Sequence, residues 1–452
     1  MSALDTVPNA ASKGLFGWLE RMLDRLGPFG RRGALGVADR LVVAGTNFLT
    51  LVMVGRAAGV EGLGVFALAW TVLLATNAVQ EAFVTSPYTV FATRPPSAVA
   101  RARYTACAFL FFAALTGFGA VVCVAVWLGN ALGFGVTMGL GDRLGLDDAT
   151  SRTALLALAA ALPASALREL ARRLLFARMA ALRALVLDVA TAVLQLMTLA
   201  FLWAFGALTP ATALLAIALG TGLPALVWAA HARRLLRAPP LAFLRREARR
   251  HLLFARWLGA AQLSDLAVTH GIVWWVAGLA GAAAAGTFTA GNTLVLVVNP
   301  LILGIGAVLL PHTALAQHRQ GPQAVAKVVW KVTAFLSIAA GLIGLAVALA
   351  GGLLVEHLYG LEPTSDLRLT VALLALATVL GASAFAADNG LIVIGRQDVN
   401  LAASLVGLVI TFGGAALLLP TMGIVGAALA VVLGTGVNAI LQLIAFARLT
   451  RR

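Results

Sequence analysis

Charged side chains are scarce in this sequence. Only 11% of the 452 residues are Asp, Glu, Lys or Arg, whereas a soluble domain carries about 25%. The chain is 61% hydrophobic, with a mean hydropathy of +0.95. Its apolar runs are roughly 20 residues or longer, and they do not alternate as the strands of a membrane barrel do. The sequence therefore predicts an all-α polytopic membrane protein.

Other absences exclude classes of function. The sequence contains no GxxxxGK[ST] motif, so ATP is not expected to be the direct driver. It has no Cys/His cluster with metal-ligand spacing and no loop long enough for a catalytic domain, so we expect no metal, no cofactor and no enzymatic activity. Its two cysteines, Cys107 and Cys123, lie about 24 Å apart along one predicted helix and cannot bond to each other.

The N-terminal segment lacks the apolar core of a cleavable signal. Residues 1–34 instead contain apolar side chains at helical spacing, with Arg21 and Arg25 between them. This pattern predicts a short amphipathic helix on the membrane surface, and the alternative is a disordered tail. The apolar positions are Leu15, Trp18, Leu19, Met22 and Leu26.

The apolar runs predict twelve transmembrane helices. All but four of the 33 lysines and arginines fall into the inner groups if the N-terminus is cytoplasmic. This asymmetry predicts that both termini face the cytoplasm, and it accounts for the net charge of +15 without a nucleic-acid partner. The four outer exceptions are Arg56, Arg143, Arg152 and Arg368. The predicted spans are 36–56, 65–92, 104–131, 152–175, 184–206, 210–231, 252–278, 286–312, 328–355, 368–392, 399–418 and 422–447.

The two halves of the chain resemble each other. GLGVF at 62–66 and AAGTF at 284–288 keep Gly and Phe in register, and the same offset pairs Asn77 with Asn299. LGTG occurs at 219–222 and again at 433–436. We interpret these matches as parallel six-helix repeats, which place a substrate site near the membrane midplane between two lobes. The predicted units are a cytoplasmic N-terminal segment (1–34), an N-lobe (35–232), a basic cytoplasmic linker (233–251), a C-lobe (252–447) and a cytoplasmic tail (448–452).

Three stretches carry a resemblance to a known family. ADRLVVAGTNFLTLVMVGRAAGVEGLGVFALA (38–69), RRLLFARMAALRALVLDV (172–189) and its counterpart DNGLIVIGRQDV (388–399) resemble the Wzx-type polysaccharide flippases of the MOP superfamily. The resemblance implies a V-shaped transporter whose helices 1, 2, 7 and 8 line a central cavity. It also implies alternating access that moves polyprenyl-diphosphate-linked oligosaccharides across the bacterial inner membrane, for surface polysaccharide, lipopolysaccharide or exopolysaccharide synthesis. Expected partners are this lipid-linked substrate, membrane lipids, H⁺ or Na⁺ as a coupling ion, and polysaccharide-assembly proteins.

Ionisable and polar residues inside the spans are the candidates for the cavity, because each is costly in a bilayer. Glu81 lies in the middle of NAVQEAFVTSPYTVFAT (77–93), and its repeat counterpart is Leu303. Either Glu81 binds a proton or a cation, or a structural arginine neutralises it. Pro87 should kink this helix, since it removes a backbone donor and clashes with the carbonyl of Phe83. The full set of substrate-cavity candidates is Asn47, Glu81, Gln262, Asp265, Thr269, His270 and Asn299.

A diphosphate favours arginine, whose guanidinium offers paired donors. The arginines near predicted inner helix ends are Arg40, Arg168, Arg172 and Arg256. These four are the phosphate-binding candidates, although positive-inside anchoring also explains them. Asp188 is expected to pair with Arg178 or Arg183, and Arg56 is expected to be structural.

Two other functions remain open on the sequence. A cation-coupled multidrug antiporter of the MATE branch would use Glu81 and Asp265 as cation sites. A membrane scaffold would dock glycosyltransferases through the basic segment 231–256. That segment is also expected to attract anionic lipid headgroups.

Overall fold

A computed structural model of the chain describes residues 27–91, 97–131, 149–178, 180–233 and 236–450. The N-terminal amphipathic segment predicted at 15–26 lies outside these ranges. Some side chains within the helices are also outside the description, namely those of residues 27–34, 130–131, 257–258, 260–265, 268–269, 307–308, 310–311, 314–315, 318–320 and 322.

The described residues form helices and short connections. The helices are α1 (Gly27–Gln80), α2 (Ser86–Phe91), α3 (Ala98–Ala131), α4 (Ala149–Ala177), α5 (Ala181–Ala204), α6 (Pro210–Ala232), α7 (Leu241–Val295), α8 (Asn299–Gln320), α9 (Pro322–Tyr359), α10 (Ser365–Val393) and α11 (Gln397–Thr450). A π-helical turn, Glu81–Thr85, joins α1 to α2, and a 3₁₀ turn, Leu296–Val298, joins α7 to α8.

Nine helical segments of the described chain are long and apolar enough to cross a membrane. The prediction of an all-helical polytopic membrane protein is therefore confirmed for these residues. Two segments are far longer than one crossing requires, with 57 residues in Leu35–Phe91 and 54 in Gln397–Thr450. A straight helix of either length would be more than about 80 Å long, whereas the hydrocarbon core is about 30 Å thick.

Single glycines interrupt the three longest helices. Gly59 in α1, Gly281 in α7 and Gly423 in α11 have φ values of 68°, 85° and 57° with extended ψ, a conformation essentially restricted to glycine. The chain folds back at Gly59 and Gly423. A Cβ at Gly55 would lie 3.0 Å from Leu63, and one at Gly426 would overlap the carbonyl of Leu418, although residues at that spacing are about 12 Å apart in a straight helix.

The two largest buried clusters of the described residues lie mainly one in each half of the chain. The first contains Phe66 in α1 and Leu214 in α6, and the second contains Phe288 in α7 and Val371 in α10. The clusters also share helices, because Ala67 of α1 belongs to the second cluster and Ala290 of α7 belongs to the first. The two halves of the chain therefore pack against each other through α1 and α7.

The contact between α1 and α7 is reciprocal. A Cβ at Gly64 would overlap the carbonyl oxygen of Ala282, and a Cβ at Gly286 would overlap the carbonyl oxygen of Val60. The sequence offset that relates the two halves also relates Gly64 to Gly286 and Val60 to Ala282. The two backbones thus touch across a local two-fold axis, and only glycine permits this approach.

The C-terminus of α9 contacts α1 close to the crossing of α1 and α7. Arg56 donates from Nη1 to the carbonyl of His357 at 2.6 Å, near the C-terminus of α9. Gly55 lies against the ring of Tyr359, where a Cβ would be 2.5 Å from Cδ1. Arg56 therefore has the structural contact that the sequence suggested, and it caps a helix whose last carbonyls lack intrahelical donors.

The segment expected to be a basic linker is partly helical. α7 begins at Leu241, directly after Pro240 as N-cap, and continues into the next apolar run. Residues 241–251 are mostly Leu, Ala, Arg and Glu, which are strong helix formers. We call residues 241–256 the linker helix.

The backbone crossing gives the first prediction. Gly64→Ala and Gly286→Ala should each destabilise the protein by about 1–3 kcal/mol, because the added methyl group must displace a backbone carbonyl. Gly45→Ala is the matched control, since a Cβ there meets nothing within 4 Å and alanine favours a helix. Thermal unfolding of purified protein measures the effect. Equal melting temperatures for the three variants would contradict the described crossing.

Candidate functional site

Glu81 is part of an ion pair. It opens the π-helical turn Glu81–Thr85, and its Oε2 lies 2.7 Å from Nη2 of Arg173 on α4. Both side chains are about one-third exposed, at 29% and 32%. Of the two interpretations of Glu81 from sequence, the structure therefore shows the one with an arginine partner.

Arg173 connects Glu81 to a deeper carboxylate. Its Nε donates to Oε1 of Glu169 at 2.7 Å, one turn earlier on α4. Arg172 also donates to Glu169, from Nη1 at 3.0 Å. Glu169 thus sits between two guanidinium groups from its own helix, at the i+3 and i+4 positions that face it.

Arg172 is the centre of the network. Its Nη2 lies 2.9 Å from Oδ2 of Asp39 in α1, and its Nε lies 2.9 Å from Oδ2 of Asp188 in α5. Asp188 also accepts from Nε of Arg168 at 2.9 Å. Asp39 and Asp188 are buried, with 0% and 2% exposure. One arginine therefore joins α1, α4 and α5.

The charges of this network balance. Its four carboxylates, those of Asp39, Glu81, Glu169 and Asp188, face three arginines of α4. The fourth positive charge is that of the exposed Arg40, which is attracted by Asp39 and Glu169 and repelled by Arg172 and Arg173. We call these residues the N-lobe ion cluster: Asp39, Arg40, Glu81, Arg168, Glu169, Arg172, Arg173 and Asp188. Buried charges persist in proteins when they are paired and hydrogen-bonded.

The cluster lies at one depth in the bundle. Asp188 is about 10 Å from the start of α5, and Glu81 is about 15 Å from the end of α2, if each helix is ideal. Both of these helix ends are the ones predicted to face the cytoplasm. The cluster therefore occupies the predicted inner half of the membrane.

Uncharged polar contacts hold the same helices in register. Gln80, fully buried, donates to the carbonyl of Ala166 at 2.9 Å, and Asn77 donates to Ser165 at 3.3 Å. Gln195 of α5 donates to Thr50 of α1 at 2.9 Å. These bonds fix α1 and α5 against each other, and the end of α1 against α4. They explain the polar residues that precede Glu81, namely Asn77 and Gln80, as structural.

The structure separates the four phosphate-binding candidates. Arg168 and Arg172 are only 15% and 12% exposed and already bind carboxylates, which argues against a direct role in phosphate binding. Arg40 and Arg256 are exposed. Asp188, for which the sequence suggested Arg178 or Arg183, contacts Arg168 and Arg172.

The remaining cavity candidates are not in the ion cluster. Asn47, His270 and Asn299 are half-buried, on α1, α7 and at the start of α8. The backbone at Gln262, Asp265 and Thr269 is helical within α7, but their side chains lie outside the described residues. That these three residues line a substrate cavity therefore remains a prediction.

The side chains of the N-lobe ion cluster form ion pairs with one another. Among the described residues, no group of three or more His, Cys, Asp or Glu side chains could hold a metal ion. Within the cluster, the described contacts are between carboxylates and guanidiniums, which neutralise each other. Among the arginines of the cluster, only the side chain of Arg40 is exposed.

The sequence matches no family model and no curated protein. Solved structures do match. An inward-facing multidrug resistance MATE family transporter of the MOP superfamily superposes with a TM-score of 0.75 at 14% identity, covering 90% of this chain and 94% of that one. This chain has the fold of a MOP superfamily transporter.

Two further structures extend the comparison. An outward-facing MATE family transporter of the same superfamily gives a TM-score of 0.58 at 15% identity, covering 93% of this chain and 94% of that one. A MOP superfamily transporter from Pyrococcus furiosus, described as having a binding pocket of reverse polarity, gives 0.60 at 16% identity, covering 96% of each chain. The matching folds belong to transporters, which agrees with the expectation that this protein is not an enzyme.

Sequence reasoning missed three members of the cluster. Asp39 was passed over although it is an acid within a helix that is otherwise largely apolar. Glu169 and Arg173 lie inside the predicted span 152–175 and were not singled out, although their i, i+4 spacing is a signal for an ion pair within the helix. Neither signal identifies the partners on α1 and α5.

The network gives the second prediction. Arg172→Gln should destabilise the protein by about 3–5 kcal/mol, because it leaves Asp39 and Asp188 buried with too little positive charge. Arg173→Gln is the matched control, since its pair with Glu81 is partly exposed, and it should cost less. Thermal unfolding and size-exclusion profiles measure both effects. A larger loss for Arg173→Gln would contradict the central place of Arg172.

Proposed function

We propose that this protein flips a polyprenyl-diphosphate-linked oligosaccharide across the bacterial inner membrane, for surface polysaccharide or exopolysaccharide synthesis. The observation that carries the proposal is the charge state of the N-lobe interior. Among the described residues, all four of its carboxylates are in contact with arginine. An interior that holds its acids in this way disfavours a cationic drug, whereas the exposed Arg40 suits an anionic headgroup.

Twelve transmembrane helices are part of this proposal. Gly59, Gly281 and Gly423 each divide one long helix, so that the nine candidate segments contain three pairs of spans. The first two of these glycines are related by the repeat offset. The reciprocal contact of Gly64 and Gly286 supports two parallel six-helix lobes joined at the linker helix.

The observed state supports alternating access. Gly64, Gly286 and the Arg56–His357 contact close the ends that the loop charges predict to face outward. The higher TM-score with an inward-facing transporter, 0.75 against 0.58 for an outward-facing one, agrees with an inward-open state. We propose that the substrate headgroup enters here past Arg40 and Arg256, while its lipid tail stays in the bilayer.

Complementation of a deletion strain tests the proposal. Loss of the gene should stop polymer export and cause lipid-linked repeat units to accumulate in the inner leaflet, and the wild-type gene should restore export. Arg40→Gln should reduce the restored export by about tenfold or more, since it removes a charge-assisted contact with phosphate. Radiolabelled lipid extracts and surface polymer measure both.

The control for Arg40 is Arg101→Gln. Arg101 is also exposed, and it lies at the start of α3, on the predicted cytoplasmic side. If it only anchors the helix at the membrane surface, its loss should leave export nearly intact. Normal polymer in a clean deletion that lacks a paralogue would overturn the proposed function.

A MATE-type antiporter is the second candidate, and the fold favours it as much as a flippase. Glu81→Gln discriminates between the two. In a cation-coupled drug exporter this change should abolish dye efflux. In a flippase it should impair polymer export at normal membrane abundance, because Arg173 loses its second carboxylate, while dye efflux from cells stays at background. Dye-efflux rates in cells with and without the gene provide the measurement.

A further inference from the structure

Pro87 leaves one backbone carbonyl without its usual helical donor. Pro87 of α2 has no N–H, so the carbonyl of Phe83, four residues earlier, loses its usual helical donor. In the bilayer such a group needs another partner. The structure supplies one from the linker helix, because Nδ1 of His251 lies 2.9 Å from the carbonyl oxygen of Phe83.

This contact fixes the tautomer of His251. A carbonyl can only accept, so Nδ1 carries the hydrogen and, in the neutral ring, Nε2 is an acceptor. Nε2 lies 2.9 Å from the hydroxyl of Tyr104 on α3, which donates to it. The hydroxyl of Tyr104 is also 3.3 Å from the carbonyl of Pro87.

The same geometry can receive a proton. When Nε2 is protonated it becomes a donor to the oxygen of Tyr104, and the hydroxyl hydrogen turns to the carbonyl of Pro87. Every donor then still has an acceptor, and the Phe83 contact is unchanged. The cluster is thus hydrogen-bonded with either a neutral or a charged imidazole, and the free-energy difference lies in burying the charge.

The surroundings of His251 oppose that charge. The side chain is only 3% exposed and meets the rings of Phe111 and Tyr104 edge-on. Burial lowers the pKa of His251, although the Phe83 carbonyl and Glu247 partly offset this effect. Glu247 lies one turn earlier and pairs with Arg246 and Arg250, and Arg250 opposes protonation.

Other titratable side chains lie near Tyr104 and His251 on the packed helices. Tyr88 stacks on Tyr104 and shares a hydrogen bond with Thr105. Cys107 on α3 is a buried free thiol. Arg250 stacks over Phe91 at 3.7 Å, so it stays at the edge of the site.

We propose that His251 is a proton-binding site. Neutral His251 fastens the linker helix to the π-helical turn Glu81–Thr85 between α1 and α2, and protonated His251 releases the linker helix. The bound ligand is a proton. A charged imidazole is more stable where water reaches it, so protonation favours separation of the linker helix from Phe83 and Tyr104. The latch is at full strength above the ordinary histidine pKa of about 6.5 and weakens as the pH falls below it. This inference goes beyond the proposed substrate and does not depend on it.

Spin-label distances across the latch test the proposal. Nitroxides at positions 249 and 99, both exposed, report the separation of the linker helix from α3 in full-length protein in phosphatidylcholine nanodiscs, with Cys107 and Cys123 replaced by alanine. The wild-type sequence should show one short distance at pH 8 and a second, longer population at pH 4.5. Absence of the longer population in acid would overturn the proposal.

Substitutions separate this site from other titrating groups. His251→Gln keeps a donor and an acceptor but cannot take the proton, so the short distance should persist at both pH values. His231→Gln is the matched control, because His231 also contacts a backbone carbonyl through Nδ1 but is exposed, and it should behave as wild type. An unchanged pH response in His251→Gln would overturn the assignment.

A second variant keeps the test decisive if His251→Gln does not fold. Tyr104→Phe removes the donor that stabilises the neutral, latched ring. Release should then occur at a higher pH, by up to about one unit, since one hydrogen bond of the latched state is lost. A release midpoint identical to that of the wild type would exclude the Tyr104–His251 contact as part of the latch.

Discussion

The interior of the N-lobe depends on one constraint, that a guanidinium buried in a membrane protein must be neutralised by carboxylates within reach. Arg172 meets this constraint with three acids from three helices, Asp39, Glu169 and Asp188. Removing any partner leaves a charge that the low-dielectric interior cannot solvate. The positions of α1, α4 and α5 are therefore coupled, and Glu81 joins the same network through Arg173. The presence of Glu81 in an apolar span is thus explained by its ion pair with Arg173.

The two halves share a backbone plan but not their chemistry. The repeat offset relates Gly59 to Gly281, Gly64 to Gly286 and Phe66 to Phe288, all of which serve turns, close approach or packing. The same offset replaces Glu81 by Leu303 and Asp39 by Ala261. Features that the scaffold needs are thus duplicated, whereas these two acids of the ion cluster are not. This asymmetry argues that the cluster serves a task of the N-lobe.

Much of the fold could be predicted from the sequence, because it depends on local signals. Apolar length marks the membrane spans, since it follows from one segment alone, whereas the kink expected at Pro87 stays a prediction. The ion pairs could not be predicted, because Asp39 and Arg172 are far apart in sequence and short-range spacing does not define their packing. Asp188 is an example. Arginines nearby in sequence suggested local partners, but the fold places Arg168 and Arg172 in contact with it. The linker helix was missed for a related reason, since its arginines suggested a solvated loop although they are also helix formers.

The π-helical turn Glu81–Thr85, which lies just before Pro87, connects the N-lobe ion cluster to the His251 contact. The π-helical turn that begins at Glu81 ends directly before the segment carrying Pro87, and the carbonyl of Phe83 inside this turn depends on His251 for its donor. A movement of the linker helix therefore changes the hydrogen bonding of the turn that also holds Glu81 against Arg173. π-helical turns are found often at functional sites, because their carbonyls are free to take outside partners. In this molecule the outside partner comes from the segment that joins the two halves, so a displacement between the halves can reach the ion cluster through a single backbone carbonyl.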